Sequence, residues 1–201
     1  MGTGLFFGTF NPVHRGHEEM VSSFLASEWV DDLWIILTPS PPHKHMVDIA
    51  PFADRWNMLE EVFADRKGVR LSDIEQRIPS PHYTIRTLTF LRNSYPDRLL
   101  YLCIGSDTLQ TLPTWYEFEK ISHKTELLVA ERPGISLSKP PELRNFTVHY
   151  CEHREKDISS TSIRKALSDG HAPGPDILNP AVLDYIQQEG LYGVGRKSVD
   201  S

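Results

Sequence analysis

The sequence predicts an α/β fold in which a parallel sheet is wound on both faces by helices. Three observations carry that expectation. Apolar runs of strand length recur along the chain, amphipathic helix-compatible stretches alternate with them, and 201 residues suffice for one well-buried domain but are short for two. Parallel neighbours need long right-handed crossovers, which the intervening helices supply.

The elements follow in order. Leu5-Phe6-Phe7 reads as a strand ending in the turn Gly8-Thr9-Phe10-Asn11-Pro12, with a helix from near His14, where Pro12 presets the entry. Leu33 to Thr38 is a second strand, stopped by the proline-rich segment Pro39-Ser40-Pro41-Pro42-His43-Lys44-His45. Phe52, Trp56, Leu59 and Phe63 form one apolar face on a helix starting near Pro51. Val69 to Leu71 is a short strand, and Thr84 is placed to cap a helix whose stripe is Ile85, Leu88 and Leu91. Leu99 to Ile104 reads as a fully buried strand, and Trp115 falls on an irregular stretch after it. Glu126 to Ala130 and Phe146 to Cys151 are further strands, separated by an irregular loop from Gly134 to Pro141. The last helices run from Ser160 to Leu167 and from Pro180 to Gln188, the second stopped at Gly190. One domain over 1–193 is expected, with a small helical C-terminal part and a mobile polar tail over 194–201.

Composition narrows the function. Hydrophobic residues make up 39% and charged residues 24%, the balance of a folded protein. With 21 Lys+Arg against 27 Asp+Glu, a formal charge of -6 offers no basic surface to track a polynucleotide, so no nucleic-acid partner is expected. An anionic ligand must be held by a local cluster of donors, which points to small phosphates. No apolar run approaches the roughly 20 residues that span a bilayer, and no secretory leader is evident, so a cytoplasmic protein is expected. Cys103 and Cys151 lie in apolar segments and read as buried, reduced thiols.

In a doubly wound, Rossmann-like sheet, ligands sit beyond the carboxyl ends of the strands where their order reverses. The candidate motifs all fall there. In Gly8-Thr9-Phe10-Asn11-Pro12-Val13-His14-Arg15-Gly16-His17, Gly8 allows close backbone approach and Gly16 leaves room beside the helix. His14 and His17 project from one face of a helix N-terminus, where backbone N–H groups and the dipole favour anions. The plainer reading is two packed histidines. A zinc site lacks a third ligand, and no metal residues are assigned. A second motif, Ser159-Ser160-Thr161-Ser162, opens a helix carrying Arg164 and Lys165 in its first turn, where the dipole disfavours cations and a bound anion would explain them. Exposed basic residues beside an ordinary cap are the alternative.

These residues resemble the GxFxPxHxGH signature of the HIGH-superfamily nucleotidylyltransferases and, more closely, the bacterial nicotinate mononucleotide adenylyltransferases. The resemblance extends through Pro42-His43-Lys44, the Arg55 to Leu59 helix, Pro81-His82-Tyr83-Thr84, Ile104-Gly105-Ser106-Asp107, Pro113-Thr114-Trp115, Arg132-Pro133-Gly134, Ile158 to Arg164 and Gly190-Leu191-Tyr192. It implies an ATP site at Gly8, Thr9, Phe10, His14, His17, Gly105, Asp107, Ser160, Thr161 and Arg164. It implies acceptor contacts at Asn11, Lys44, Tyr83, Thr84, Trp115 and Arg132, with Trp115 against the nicotinate ring, the Tyr83-Thr84 turn near its carboxylate, and Lys44 facing the reacting phosphates. Bacterial members usually carry Asp at the position of Asn11, and Asn there matches the eukaryotic nicotinamide pattern.

The chemistry implied is adenylyl transfer. A phosphate oxygen of nicotinate mononucleotide attacks the α-phosphorus of ATP, giving deamido-NAD and pyrophosphate in NAD biosynthesis, with His14, His17, Lys44 and Arg164 as the catalytic donors. Mg2+ would arrive bound to ATP, keeping most of its waters. Rival readings are a related transferase using nicotinamide mononucleotide or phosphopantetheine, and a silent nucleotide-binding module. A homo-oligomer is compatible with the sequence.

Overall fold

The computed structural model describes residues 2–39, 49–131, 139–153 and 158–195. Strands β1 (Gly2–Gly8), β2 (Asp32–Leu37), β3 (Val69–Ser72), β4 (Leu99–Gly105), β5 (Glu126–Glu131) and β6 (Val148–Glu152) form one sheet in the order β3-β2-β1-β4-β5-β6. Every pairing is parallel. The order reverses between β1 and β4, so their C-terminal ends frame the crevice where a doubly wound sheet takes its ligand.

Alternation along the strands separates two apolar layers. Leu5, Trp34, Ile36, Leu100, Leu102 and Ile104 pack with the helices α3 (Thr84–Ser94) and α4 (Ser106–Thr111). Phe6, Leu33, Ile35, Leu37, Tyr101 and Cys103 pack with α1 (Arg15–Ala26), α2 (Phe52–Phe63), α5 (Ser160–Ser168) and α6 (Pro180–Glu189). Burial on both faces explains why the strands read as continuous apolar runs. Among the described residues, no helix is long and apolar enough to cross a membrane.

Several boundaries differ from the sequence reading for local reasons. Helix α1 starts at Arg15 behind the cap His14, so Pro12 lies in the turn before it and does not initiate the helix. The cap of α3 is Tyr83, with Thr84 as its first helical residue. On α2 the fully buried residues are Arg55, Met58, Leu59 and Phe63, while Phe52 and Trp56 are half-buried against the same core, the Trp56 indole N–H donating to Glu60 at 2.8 Å. Phe146 is in the core just ahead of β6, and Trp115 directly follows a 3₁₀ turn, Leu112–Thr114. Of the expected loop from Gly134 to Pro141, only the end is described, and Pro141 opens a 3₁₀ turn. Of the expected tail, Val194 packs against the core, while residues 196–201 lie outside the described residues. Both cysteines are free thiols. Burial pushes Cys151 up to about 11 and Cys103 well above its ordinary value, so both are inert, as expected.

Candidate active site

The segment between β1 and α1 is built around stacked imidazoles. The His14 and His17 rings lie 3.7 Å apart, centroid to centroid, at 28°. His17 Nδ1 accepts the backbone N–H of His14 at 3.2 Å, so in the neutral ring the proton is on Nε2, making that atom a donor. His14 is 6% exposed, and its Nδ1 is buried without a hydrogen-bond partner. Burial lowers its pKa to about 4, so the ring is neutral at pH 7. Two rings this close cannot both hold charge cheaply, which suits a site whose charge comes with the ligand.

The two glycines serve these rings. A Cβ at Gly16 would lie 3.1 Å from His14 Nδ1, and one at Gly8 would lie 2.7 Å from the Phe10 ring. The space at Gly8 is therefore used by Phe10, which is 2% exposed and packs edge-on against both Phe6 and His17. Phe10 holds this place with a left-handed φ of 44°, uncommon for an aromatic residue. Gly8→Ala drives a methyl into that ring and is expected to cost about 1–3 kcal/mol. Urea unfolding checks it, and an unchanged midpoint would contradict the packing.

The far end of the chain reaches the same segment. Ser159 caps α5 by accepting the Ser162 N–H, leaving Ser160 and Thr161 in the first turn. The Ser160 hydroxyl donates to the Pro12 carbonyl at 3.0 Å, and Arg164 Nη1 donates to the Asn11 carbonyl at 2.9 Å. Thr161 and Arg164 line a cavity of about 610 Å³ together with Ala50, Leu191 and Tyr192. The expectation that Arg164 and Lys165 occupy the first turn is corrected, because α5 begins at Ser160 and both lie beyond it. Lys165 pairs with Asp169 at 2.7 Å, which accounts for its charge at the helix end without a bound anion.

Two cavities adjoin at the switch point. One, of about 270 Å³, lies between the ends of β1 and β4 and is lined by Phe6, Phe7, His17, Gly105, Asp107 and Trp115. The other, of about 230 Å³, is lined by Phe7, Gly8, Thr9, Glu75, His82, Tyr83, Thr84 and Trp115. Phe7 and Trp115 belong to both, so Trp115 stands at their junction. Tyr83, Thr84 and Trp115, expected at the acceptor's ring, thus share one cavity, which Gly8 and Thr9, expected on the ATP side, also line, while Gly105 and Asp107 stand beside His17. Thr84 brings the start of α3, whose first backbone N–H groups have no helical partner. The Tyr83 ring stacks on Tyr116 at 4.3 Å.

Asn11 is turned inward, 4% exposed, with Oδ1 accepting from the Ala50 N–H at 3.0 Å and the Tyr192 hydroxyl at 2.8 Å. Both partners donate, so the position asks for an acceptor, which an amide supplies as well as a carboxylate does. Burial raises the Tyr192 pKa, keeping its proton in place for that bond. Lys44 and Arg132 lie outside the described residues, as do His43 and His45.

Sequence reasoning gave no role to Arg55, Glu75 or Tyr192. Arg55 is 1% exposed and donates to the carbonyls of Thr9, Thr38, Pro39 and Ala50, at 2.8 to 2.9 Å. It therefore ties the segment after β1 to the one after β2. The signal was present: Arg55 sits three residues after Phe52 and four before Leu59, a charge within an apolar stripe. Glu75, 1% exposed on a 3₁₀ turn, shows no such pattern.

Histidine and arginine side chains gathered at the switch point of a parallel α/β sheet, beside a cavity edged by a tryptophan, agree with the nucleotidyl-transferring class of Rossmann-like enzymes. The Cytidylyltransferase-like family matches residues 5–166. The chain is 38% identical over 193 residues to the "Probable nicotinate-nucleotide adenylyltransferase" of Bacteroides fragilis (strain YCH46), covering 93% of this chain and 92% of that protein. It is 29% identical over 189 residues to the nicotinate-nucleotide adenylyltransferase of Bacillus subtilis (strain 168), covering 94% and 97%. The fold is shared with nicotinic acid mononucleotide adenylyltransferase of Plasmodium falciparum, complexed with NaAD, at a TM-score of 0.82 and 20% identity over 98% of this chain and 99% of that one. The chain belongs to the cytidylyltransferase-like family and, within it, to the nicotinate-nucleotide adenylyltransferases of NAD biosynthesis. Nucleotidyltransferases of this kind generally use a divalent metal.

Proposed function

We propose that this chain joins ATP to nicotinate mononucleotide through the residues gathered at the switch point. The observation that carries the reading is the convergence of Arg164, from the C-terminal part, on the turn that leads into the stacked His14 and His17. The polyphosphate lies across His17, His14, Arg164 and the hydroxyls and N–H groups of Ser160 and Thr161. Its negative charge favours protonation of the imidazoles, opposing the burial that keeps His14 neutral in the free protein. Gly8, Thr9, Phe10, Gly105 and Asp107 shape the ATP side. Asn11 holds the loop, and Trp115, Tyr83 and Thr84 hold the pyridine ring and its carboxylate. Lys44 and Arg132 are assigned to the reacting phosphates and the acceptor by family resemblance.

The acceptor phosphate is ionised at neutral pH, so no protein nucleophile is needed. Catalysis consists of aligning two bound substrates and neutralising charge that develops on the transferred group. His17 Nε2–H and the Arg164 guanidinium are suited to that task because both donate without moving a proton off carbon or oxygen. Magnesium enters as Mg–ATP. Asp107, on the wall of the cavity beside His17, would be available to the metal's hydration shell, as the family resemblance implies. All residues in this reading come from one chain; a homo-oligomer is compatible with it. Free thiols and small soluble substrates suit the cytoplasm.

The test is an acceptor panel with Mg–ATP and nicotinate mononucleotide, nicotinamide mononucleotide or phosphopantetheine, following pyrophosphate and dinucleotide. The expected result is fastest turnover with the nicotinate form. Turnover with phosphopantetheine alone would transfer the chain to another acceptor, and no pyrophosphate with any would make it a binding module.

A further inference from the structure

The cavity assigned to the pyridine ring contains two buried polar atoms that the reading above does not use. Glu75 Oε1 accepts the Thr87 hydroxyl at 2.8 Å, whereas Oε2 is buried without a hydrogen-bond partner. His82 Nδ1 is likewise buried without one. Both residues line the same cavity as Thr84 and Trp115. A carboxyl group with one oxygen tethered and the other unmet, on the wall of a ring-sized cavity, is placed to meet the ring's substituent.

We infer that Glu75 determines acid-against-amide specificity, its Oε2 donating a proton in a hydrogen bond to the nicotinate carboxylate and, when ionised, accepting one from the nicotinamide N–H. The inference rests on the pyridine assignment of this cavity. Two adjacent carboxylates cannot both be ionised at small cost, so binding the acid draws one proton from solvent onto Glu75. Binding the amide draws none. Burial pushes the Glu75 pKa up to about 6, against the Thr87 and Thr38 hydroxyls, which favour the anion. The other titratable groups on this cavity are His82, Tyr83 and Tyr116, with the Arg86 guanidinium over the Tyr83 ring. His82 is held below its ordinary value by burial and by Arg86, both of which disfavour its charged form.

Titration calorimetry of the whole protein with each mononucleotide, in buffers of different ionisation enthalpy, counts the protons. Above pH 6, the ratio of acid to amide affinity is expected to fall by up to about tenfold per pH unit, with proton uptake approaching one for the acid. The ligands' own phosphate titration cancels in that ratio. Glu75→Gln keeps an N–H donor at this point and is expected to flatten the ratio and abolish the extra proton. Thr87→Val, which removes the tether favouring the anion, is expected to move the fall to higher pH. A pH-independent ratio in the unmodified protein, or unchanged profiles in both variants, would overturn the inference. Trp115→Ala separates the two levels: loss of affinity for both mononucleotides upholds the pyridine cavity whatever Glu75 does, and unchanged affinity for both sinks the cavity assignment itself.

Discussion

Replacing His17 with alanine is expected to lower kcat by about 10²- to 10³-fold at saturating substrates, the loss that follows removal of one preorganised donor from a transition state. Two features make this residue the sensitive one. Its Nδ1 is already occupied by the His14 backbone N–H, so the ring is fixed in orientation and its remaining nitrogen donates. It also lines the cavity between β1 and β4, where the proposed function brings the two substrates together. Pyrophosphate release measures the effect. Because the ring packs on Phe10 and His14, a thermal unfolding scan of the same variant is the control. Near-normal turnover in a folded variant would remove His17 from the mechanism.

Arg55→Ala is expected to cost about 3–5 kcal/mol of stability, the penalty for leaving buried acceptors without their charged donor. Four carbonyls lose their partner at once, from Thr9 and Ala50 and from Thr38 and Pro39. The guanidinium remains charged at neutral pH even though burial lowers its pKa to about 10. Arg55→Lys is expected to recover only part of the loss, because an ammonium cannot span acceptors that a planar fork reaches together. Equilibrium unfolding in urea reads both variants. A shift below 1 kcal/mol for the alanine variant would show that the loops stand without this tie. Both variants are also expected to weaken substrate binding, since Thr9 and Asn11 lie on the segment that Arg55 holds.

Much of the architecture was legible from periodicity. Burial of the sheet on both faces leaves continuous apolar runs, and these identified all six strands with small errors at their ends. The Gly8-to-His17 and Ser159-to-Arg164 segments stood out in the sequence as local motifs at helix starts, and the structure brings them together through Ser160 and Arg164. The errors came where a third element intervened. Phe52 and Trp56 pack at the margin of the core, while Arg55 between them points fully inward to the loops after β1 and β2. Gly8 lines the cavity beside Thr9, and only the direction a Cβ would take is filled, by Phe10. Arg164 and Lys165 lie beyond the first turn of α5, and the charge of Lys165 is met by Asp169 one turn further on.

By itself, the sequence determined the order of strands and helices along the chain and the family to which it belongs, because each depends on residues close together in the chain. Only the tertiary structure decided that Arg164 meets the Asn11 carbonyl, that Arg55 binds two loops into one frame, and that Glu75, with an unmet oxygen, lines one cavity with Thr84 and Trp115. Those facts join positions tens to more than a hundred residues apart. No local preference encodes them; they follow from packing helices onto a twisted sheet, which sets which distant groups lose water together and must then satisfy one another or a ligand.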